Sequence, residues 1–198
     1  MPLLTQLRTL MENLQKLSNR LKTTFLILTF AVPTFICLQW LLIDWQPVKA
    51  LIRLSMIMQP IITPEGLVNL AEIELGVTAK MVALLGSLLG AVPYIFGYIL
   101  LHKLFSNYSQ GKIFTSLNSV IYKKIGRLTL INGLLIIPLT QGVMVVAATL
   151  GNPPGHRYIT LSFGTPNLEV ILCGLLIIVI ALVMEEAQSI QDENQLTV

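Results

Sequence analysis

Four apolar runs, at about 23–43, 81–101, 128–150 and 170–184, decide what this chain can become. None contains a charged side chain. The first three are long enough, at 1.5 Å per helical residue, to cross a hydrocarbon core of about 30 Å. In lipid a backbone must satisfy its own hydrogen bonds, so runs of this length are helices. Only 12% of the residues are charged and 54% are hydrophobic, against about a quarter charged in a soluble domain. The sequence therefore predicts an all-α membrane protein with four transmembrane helices, and 198 residues leave room for one compact domain.

Residues 1–22 differ in character from the first apolar run. Leu3, Leu7, Leu10, Met11, Leu14, Leu17 and Leu21 recur at spacings of three and four, with Arg8, Glu12, Lys16, Arg20 and Lys22 on the other faces. That pattern is an amphipathic helix with a basic polar side, suited to an anionic membrane surface or to packing on the rest of the protein. The expected division is thus a cytoplasmic amphipathic helix over 1–22 and a four-helix transmembrane domain with an acidic tail over 23–198. A cleavable signal peptide is not expected, because the next apolar run is too long and lacks a small-x-small site. Trp40 and Trp45 close the first run, where indole rings favour the headgroup boundary. The mixed segment 46–79 offers a short interfacial helix before Pro60 and Pro64. After Gly-Asn-Pro-Pro-Gly, residues 157–163 (RYITLSF) alternate like a short extracytoplasmic strand.

Lysine and arginine set the orientation. Arg8, Lys16, Arg20 and Lys22 near the N-terminus join Lys103, Lys112, Lys123, Lys124 and Arg127 between the second and third runs. The other side has Lys49, Arg53, Lys80 and Arg157. The excess places both termini and the 102–127 hinge in the cytoplasm, as in a bacterial inner membrane.

The chemistry expected of such a chain is sparse. The cores of the four runs hold no ionisable group, and His102 and His156 fall on opposite sides, so no shared metal site is expected. Cys37 and Cys173 lie in apolar runs and read as free thiols. No nucleophile-base pair or phosphate loop is present. The sequence predicts neither an enzyme nor a cofactor, and no direct binding of nucleic acid. Gly86 and Gly90 stand at the GxxxG spacing with Gly97 beyond, a close-packing face for an internal helix contact or a homo-oligomer seam. Pro33, Pro93 and Pro138 fall near the middles of the first three runs, and Thr34, Asn132 and Gln141 are the most polar core residues. These define the candidate path of a small transporter or channel subunit.

The hinge has a readable local structure. Gly111 is placed to end a prolonged second helix in a left-handed conformation, and Thr115 to cap the next. Leu117, Ile121 and Ile125 form the expected apolar stripe of that helix. Beyond Met184, Glu185, Glu186, Asp192 and Glu193 make an acidic helical tail opposite the basic hinge.

The hinge sequence LFSNYSQGKIFT and the terminal ENQLTV resemble a bacterial membrane family, domain of unknown function 2975. The likeness covers nearly the whole chain. Its residues here are Leu104, Phe105, Tyr108, Gly111, Ile113, Phe114 and Thr115, then Glu193, Leu196, Thr197 and Val198. The resemblance implies four helices and no assigned activity. Members are often encoded beside a small helix-turn-helix regulator, which implies a cytoplasmic transcription factor as partner. On this expectation the quoted residues dock that partner, and the protein is a non-enzymatic regulator or sensor in the lipid bilayer.

Overall fold

The computed structural model describes residues 2–196 apart from 55, 57 and 59, with the side chains of 2–5, 7–10, 191–192 and 194–196 outside the description. In order the elements are α1 (Pro2–Leu41), α2 (Gln46–Arg53), β1 (Ile61–Thr63), β2 (Gly66–Val68), α3 (Val77–Ser109), α4 (Ser116–Ile131), a π-helical stretch (Asn132–Ile136), α5 (Ile137–Thr149) and α6 (Thr165–Leu196). Among the described residues four helical spans are long and apolar enough to cross a membrane: Met11–Leu41, Val77–Ser109, Ser116–Thr149 and Thr165–Ile190.

The amphipathic segment and the first span form one helix. Nothing between residues 3 and 32 is proline or glycine, and the Thr23 and Thr24 hydroxyls donate to the carbonyls of Asn19 and Arg20 within the helix. The change in composition at 22/23 is therefore a change of surroundings, with no break in the backbone. Pro33 and Pro93 are likewise accommodated inside continuous helices. Pro138 behaves differently: it comes after the π-helical stretch, which widens the turn where a proline ring would meet the preceding carbonyls.

The chain divides into two compact units. The first comprises Met1–Phe30, Pro93–Asn132 and Leu168–Val198. Leu104, Ile121 and Ile125 form its core, with Leu100, Tyr108, Tyr122 and Ile177 packed against them. Phe25 stacks on Phe105 at 5.6 Å and on Tyr98 at 6.1 Å between ring centroids. Where α4 meets α6 the contact is made by glycine: a Cβ at Gly126 would lie 3.0 Å from the Gly174 carbonyl oxygen and 2.6 Å from Ile178 Cγ1. Small residues let backbones approach closely where no hydrophobic effect drives association.

The second unit comprises Ala31–Val92 and Gly133–Asn167. Its core joins Trp40, Ile43, Ile52, Ile61, Leu70 and Val145. Trp40, next to the end of α1, is buried, and its indole N–H donates to Ser87 Oγ at 3.0 Å. Trp45 is exposed and precedes α2, whose Ile52 is the buried anchor. The short helix expected before Pro60 is therefore present. The strand pair forms elsewhere than the alternation in 157–163 suggests. β1 and β2 pair antiparallel with Ile61 opposite Val68, through a turn in which Gly66 takes φ +128°. Residues 157–163 carry no strand. They lie against α5: Tyr158 N–H donates to Thr149 Oγ1 at 3.1 Å, and a Cβ at Gly142 would touch Leu161 and the Thr160 carbonyl. Having no second strand to pair with, this segment spends its polar groups on the helix.

Candidate functional site

The hinge is built from the end of α3, a six-residue turn and the first turns of α4. Gly111 closes α3 with φ +77°, the left-handed conformation its position requires. Its N–H donates to the Tyr108 carbonyl at 3.0 Å, and a Cβ there would lie 3.1 Å from Gln15 Nε2. Thr115 caps α4, its hydroxyl accepting from the Asn118 N–H at 3.3 Å.

The turn is held by a side chain that the sequence pattern did not single out. Asn118 is fully buried. Its Nδ2 donates to the carbonyls of Lys112 and Ile113, each at 2.7 Å, and its Oδ1 accepts from Asn107 Nδ2 at 2.7 Å. One carboxamide thus satisfies the turn carbonyls that no helix reaches. The available signal was its position three residues after the cap, where capping-box side chains turn back. Tyr108 and Tyr122 share a hydrogen bond between their hydroxyls at 3.0 Å, and His102 Nδ1–H donates to the Lys22 carbonyl at 2.9 Å.

These contacts sort the expected docking residues. Leu104 is core, 1% exposed. Phe105 is half-buried between Phe25 and the edge of Tyr108. Gly111, Ile113 and Thr115 shape the turn. Phe114 stands out, 52% exposed. Leu117 is exposed as well, contrary to the stripe expected of it, because the buried face of α4 runs through Asn118, Ile121 and Ile125 instead. Phe114, Leu117 and Val120 make an uncovered apolar strip. Glu193 is exposed on α6; the side chain of Leu196, and Thr197 and Val198 altogether, lie outside the described residues.

Basic groups follow this strip along α4. Lys123 pairs with Glu185 at 2.6 Å, joining α4 to the acidic part of α6 as the opposite charges suggested. Both are partly exposed, so the pair contributes only about 0–1 kcal/mol. Lys103, Lys124 and Arg127 border a groove of about 460 Å³ lined otherwise by apolar residues including Phe96, Leu128 and Ile131. Cations beside apolar walls suit the boundary between headgroups and acyl chains.

The remaining candidates separate. Gly86 and Gly90 serve an internal contact in the second unit: their Cβ atoms would lie 2.8 Å from Val143 and 3.1 Å from Thr140. Gly97 faces open space. Of the polar residues, Thr34 is exposed on α1, Gln141 Oε1 accepts from the Ser162 hydroxyl in the second unit, and Asn132 lines a cavity in the first. Among the described residues no three His, Cys, Asp or Glu side chains are grouped as metal ligands.

No curated protein and no solved structure matches the chain. The family model described as a protein of unknown function, DUF2975, matches residues 13–198. That range takes in all four apolar runs, the hinge and the tail; the four apolar helices make this a multi-pass membrane protein, and the chain belongs to the DUF2975 family.

Proposed function

We propose that the protein is a non-enzymatic membrane regulator or sensor whose hinge and tail hold a cytoplasmic protein, a transcription factor being the partner class that the family likeness implies. The observation that carries this reading is the strip of Phe114, Leu117 and Val120. It precedes the cations Lys123, Lys124 and Arg127, and Val120 stands seven residues, about 10 Å of helix, before Arg127. With those cations at the headgroups the strip projects into water, where uncovered apolar side chains mark interaction surfaces. The excess of Lys and Arg on the hinge and N-terminal segment supports an inner-membrane orientation with this strip and both termini in the cytoplasm.

The test places a photo-crosslinker at position 117 in native membranes and identifies adducts by mass spectrometry. One discrete cytoplasmic protein is expected, its yield falling at least tenfold with Phe114→Ser or with residues 185–198 removed. A crosslinker at Ile159, which is also exposed and lies in the second unit, should not give it. Adducts only to lipid, or the same adducts from both positions, refute the reading; adducts to a second copy would make the strip a self-association surface. A transporter or channel subunit is the second reading, and Asn132, buried with its Oδ1 unpaired, is the observation on its side.

A further inference from the structure

We propose that the cavity among α3, α4 and α6 in the first unit binds an organic ammonium ion with an apolar body, Glu169 supplying the counter-charge and Asn132 an acceptor. The cavity measures about 380 Å³. At about 30 Å³ per water molecule it holds the volume of about a dozen, room for an organic body. Its walls are mostly apolar, and its polar groups are Tyr94, Tyr98, Thr129, Asn132 and Glu169.

One of these groups is buried with an unpaired oxygen. Asn132 is 5% exposed and its Oδ1 has no hydrogen bond, which costs about 1–3 kcal/mol unless something donates to it. Glu169 lines the cavity but is exposed, and it has no ion pair or hydrogen bond among the described residues. α6 starts at Thr165, so Glu169 stands in its second turn, just before the apolar run at 170–184. Glu169 stands sixteen residues, about 24 Å, along α6 from Glu185. That distance approaches the hydrocarbon thickness of about 30 Å, so with Glu185 at one headgroup layer the carboxyl stands near the other.

The lining selects the ligand class. No Lys or Arg faces the cavity, so an anion would meet only the carboxyl. A bare Ca²⁺ or Mg²⁺ needs six or more oxygen ligands, more than these walls offer. Thr129 already donates to the Ile125 carbonyl, leaving an acceptor lone pair. A primary ammonium supplies three donors to an acceptor-rich pocket, its chain fits the Leu101, Leu128 and Val170 side, and tyrosine rings favour a nearby cation.

The probe is octylammonium carrying a diazirine, added to the full chain in phosphatidylcholine nanodiscs, with adducts mapped by mass spectrometry. Saturable labelling at residues 93–101, 128–132 and 169–173 is expected, displaced by octylamine but not by octanol. It should fall at least tenfold in Glu169→Gln and persist in Glu169→Asp. Gly97→Leu, which fills the cavity from a position with open space around it, should block it with Glu169 intact. Labelling that is undiminished in Glu169→Gln, that octanol displaces equally, or that spreads without saturation over the lipid-facing surface overturns the proposal.

Discussion

Asn107 donates through its side-chain amide to Asn118 Oδ1 at 2.7 Å, and this one bond ties the end of α3 to the start of α4. The Asn118 amide in turn donates to the carbonyls of residues 112 and 113, so one side chain holds both the helix end and the turn. Buried carboxamides of this kind are costly to remove because each lost partner leaves a desolvated group behind.

Asn118→Ala should therefore destabilise the protein by about 2 kcal/mol or more. Asn118→Asp should be worse, since a carboxylate would face two carbonyl oxygens. Thermal unfolding in detergent checks the loss, and limited proteolysis at residues 110–115 checks its location. An unchanged midpoint with no new cleavage would show that the turn does not depend on this side chain.

The glycines give a graded series. Gly126→Ala puts a Cβ against the Gly174 carbonyl, and backbone cannot rotate away, so a loss of about 1–3 kcal/mol is expected. Gly97→Ala meets nothing within 4 Å and should be neutral or gain several tenths of a kcal/mol from helix propensity. Equal effects in a thermal-shift comparison would contradict this packing.

Glu65 makes the second unit pH-sensitive. Its carboxyl accepts from the Tyr158 hydroxyl at 2.6 Å and contacts His156 Nδ1 at 2.6 Å, joining the β1–β2 turn to the loop before α6. The Tyr158 bond, then the His156 bond, hold the carboxyl below its ordinary value of 4.5, while the same Glu65 raises Tyr158 above 10.0. A lowered carboxyl gives stability above its unfolded value that disappears as pH falls through the folded one; a raised phenol gives stability that disappears above about pH 10. Hydrogen exchange at residues 61–68 should be slowest between these limits and accelerate on both sides. Glu65→Gln should abolish the acid limb. An acid limb that survives in Glu65→Gln assigns it to another group.

Much of the frame was legible because lipid leaves few choices. Uncharged runs marked the four spans, and Gly111 and Thr115 marked the turn between two of them through backbone conformation and capping. What escaped were features that depend on the neighbour. Alternation in 157–163 looks like a strand, but a strand needs a partner, and the pair formed where Thr63 and Gly66 face each other across the Pro64–Glu65 turn. The burial of Trp40 depends on Ser87, 47 residues away, offering its indole an acceptor. Leu117 left its expected stripe because Asn118, whose amide serves the carbonyls of the turn, takes the buried face beside Ile121 and Ile125.

The π-helical stretch makes the sharpest prediction. In a π turn the Gly133 carbonyl looks to the N–H five residues on, and residue 138 is proline, which has none. Asn167, 1% exposed, supplies the missing donor: its Nδ2 reaches that carbonyl at 3.0 Å while its Oδ1 accepts from the Gly164 N–H at 3.0 Å. Asn167→Ala alone should cost about 1–3 kcal/mol by orphaning the buried carbonyl. In a Pro138→Ala background the new N–H at 138 can take over, so the same Asn167→Ala should cost clearly less. A double-mutant cycle by chemical unfolding should return a coupling of about 0.5–3 kcal/mol. Strict additivity would mean that Asn167 stabilises the start of α6 alone and does nothing for the proline.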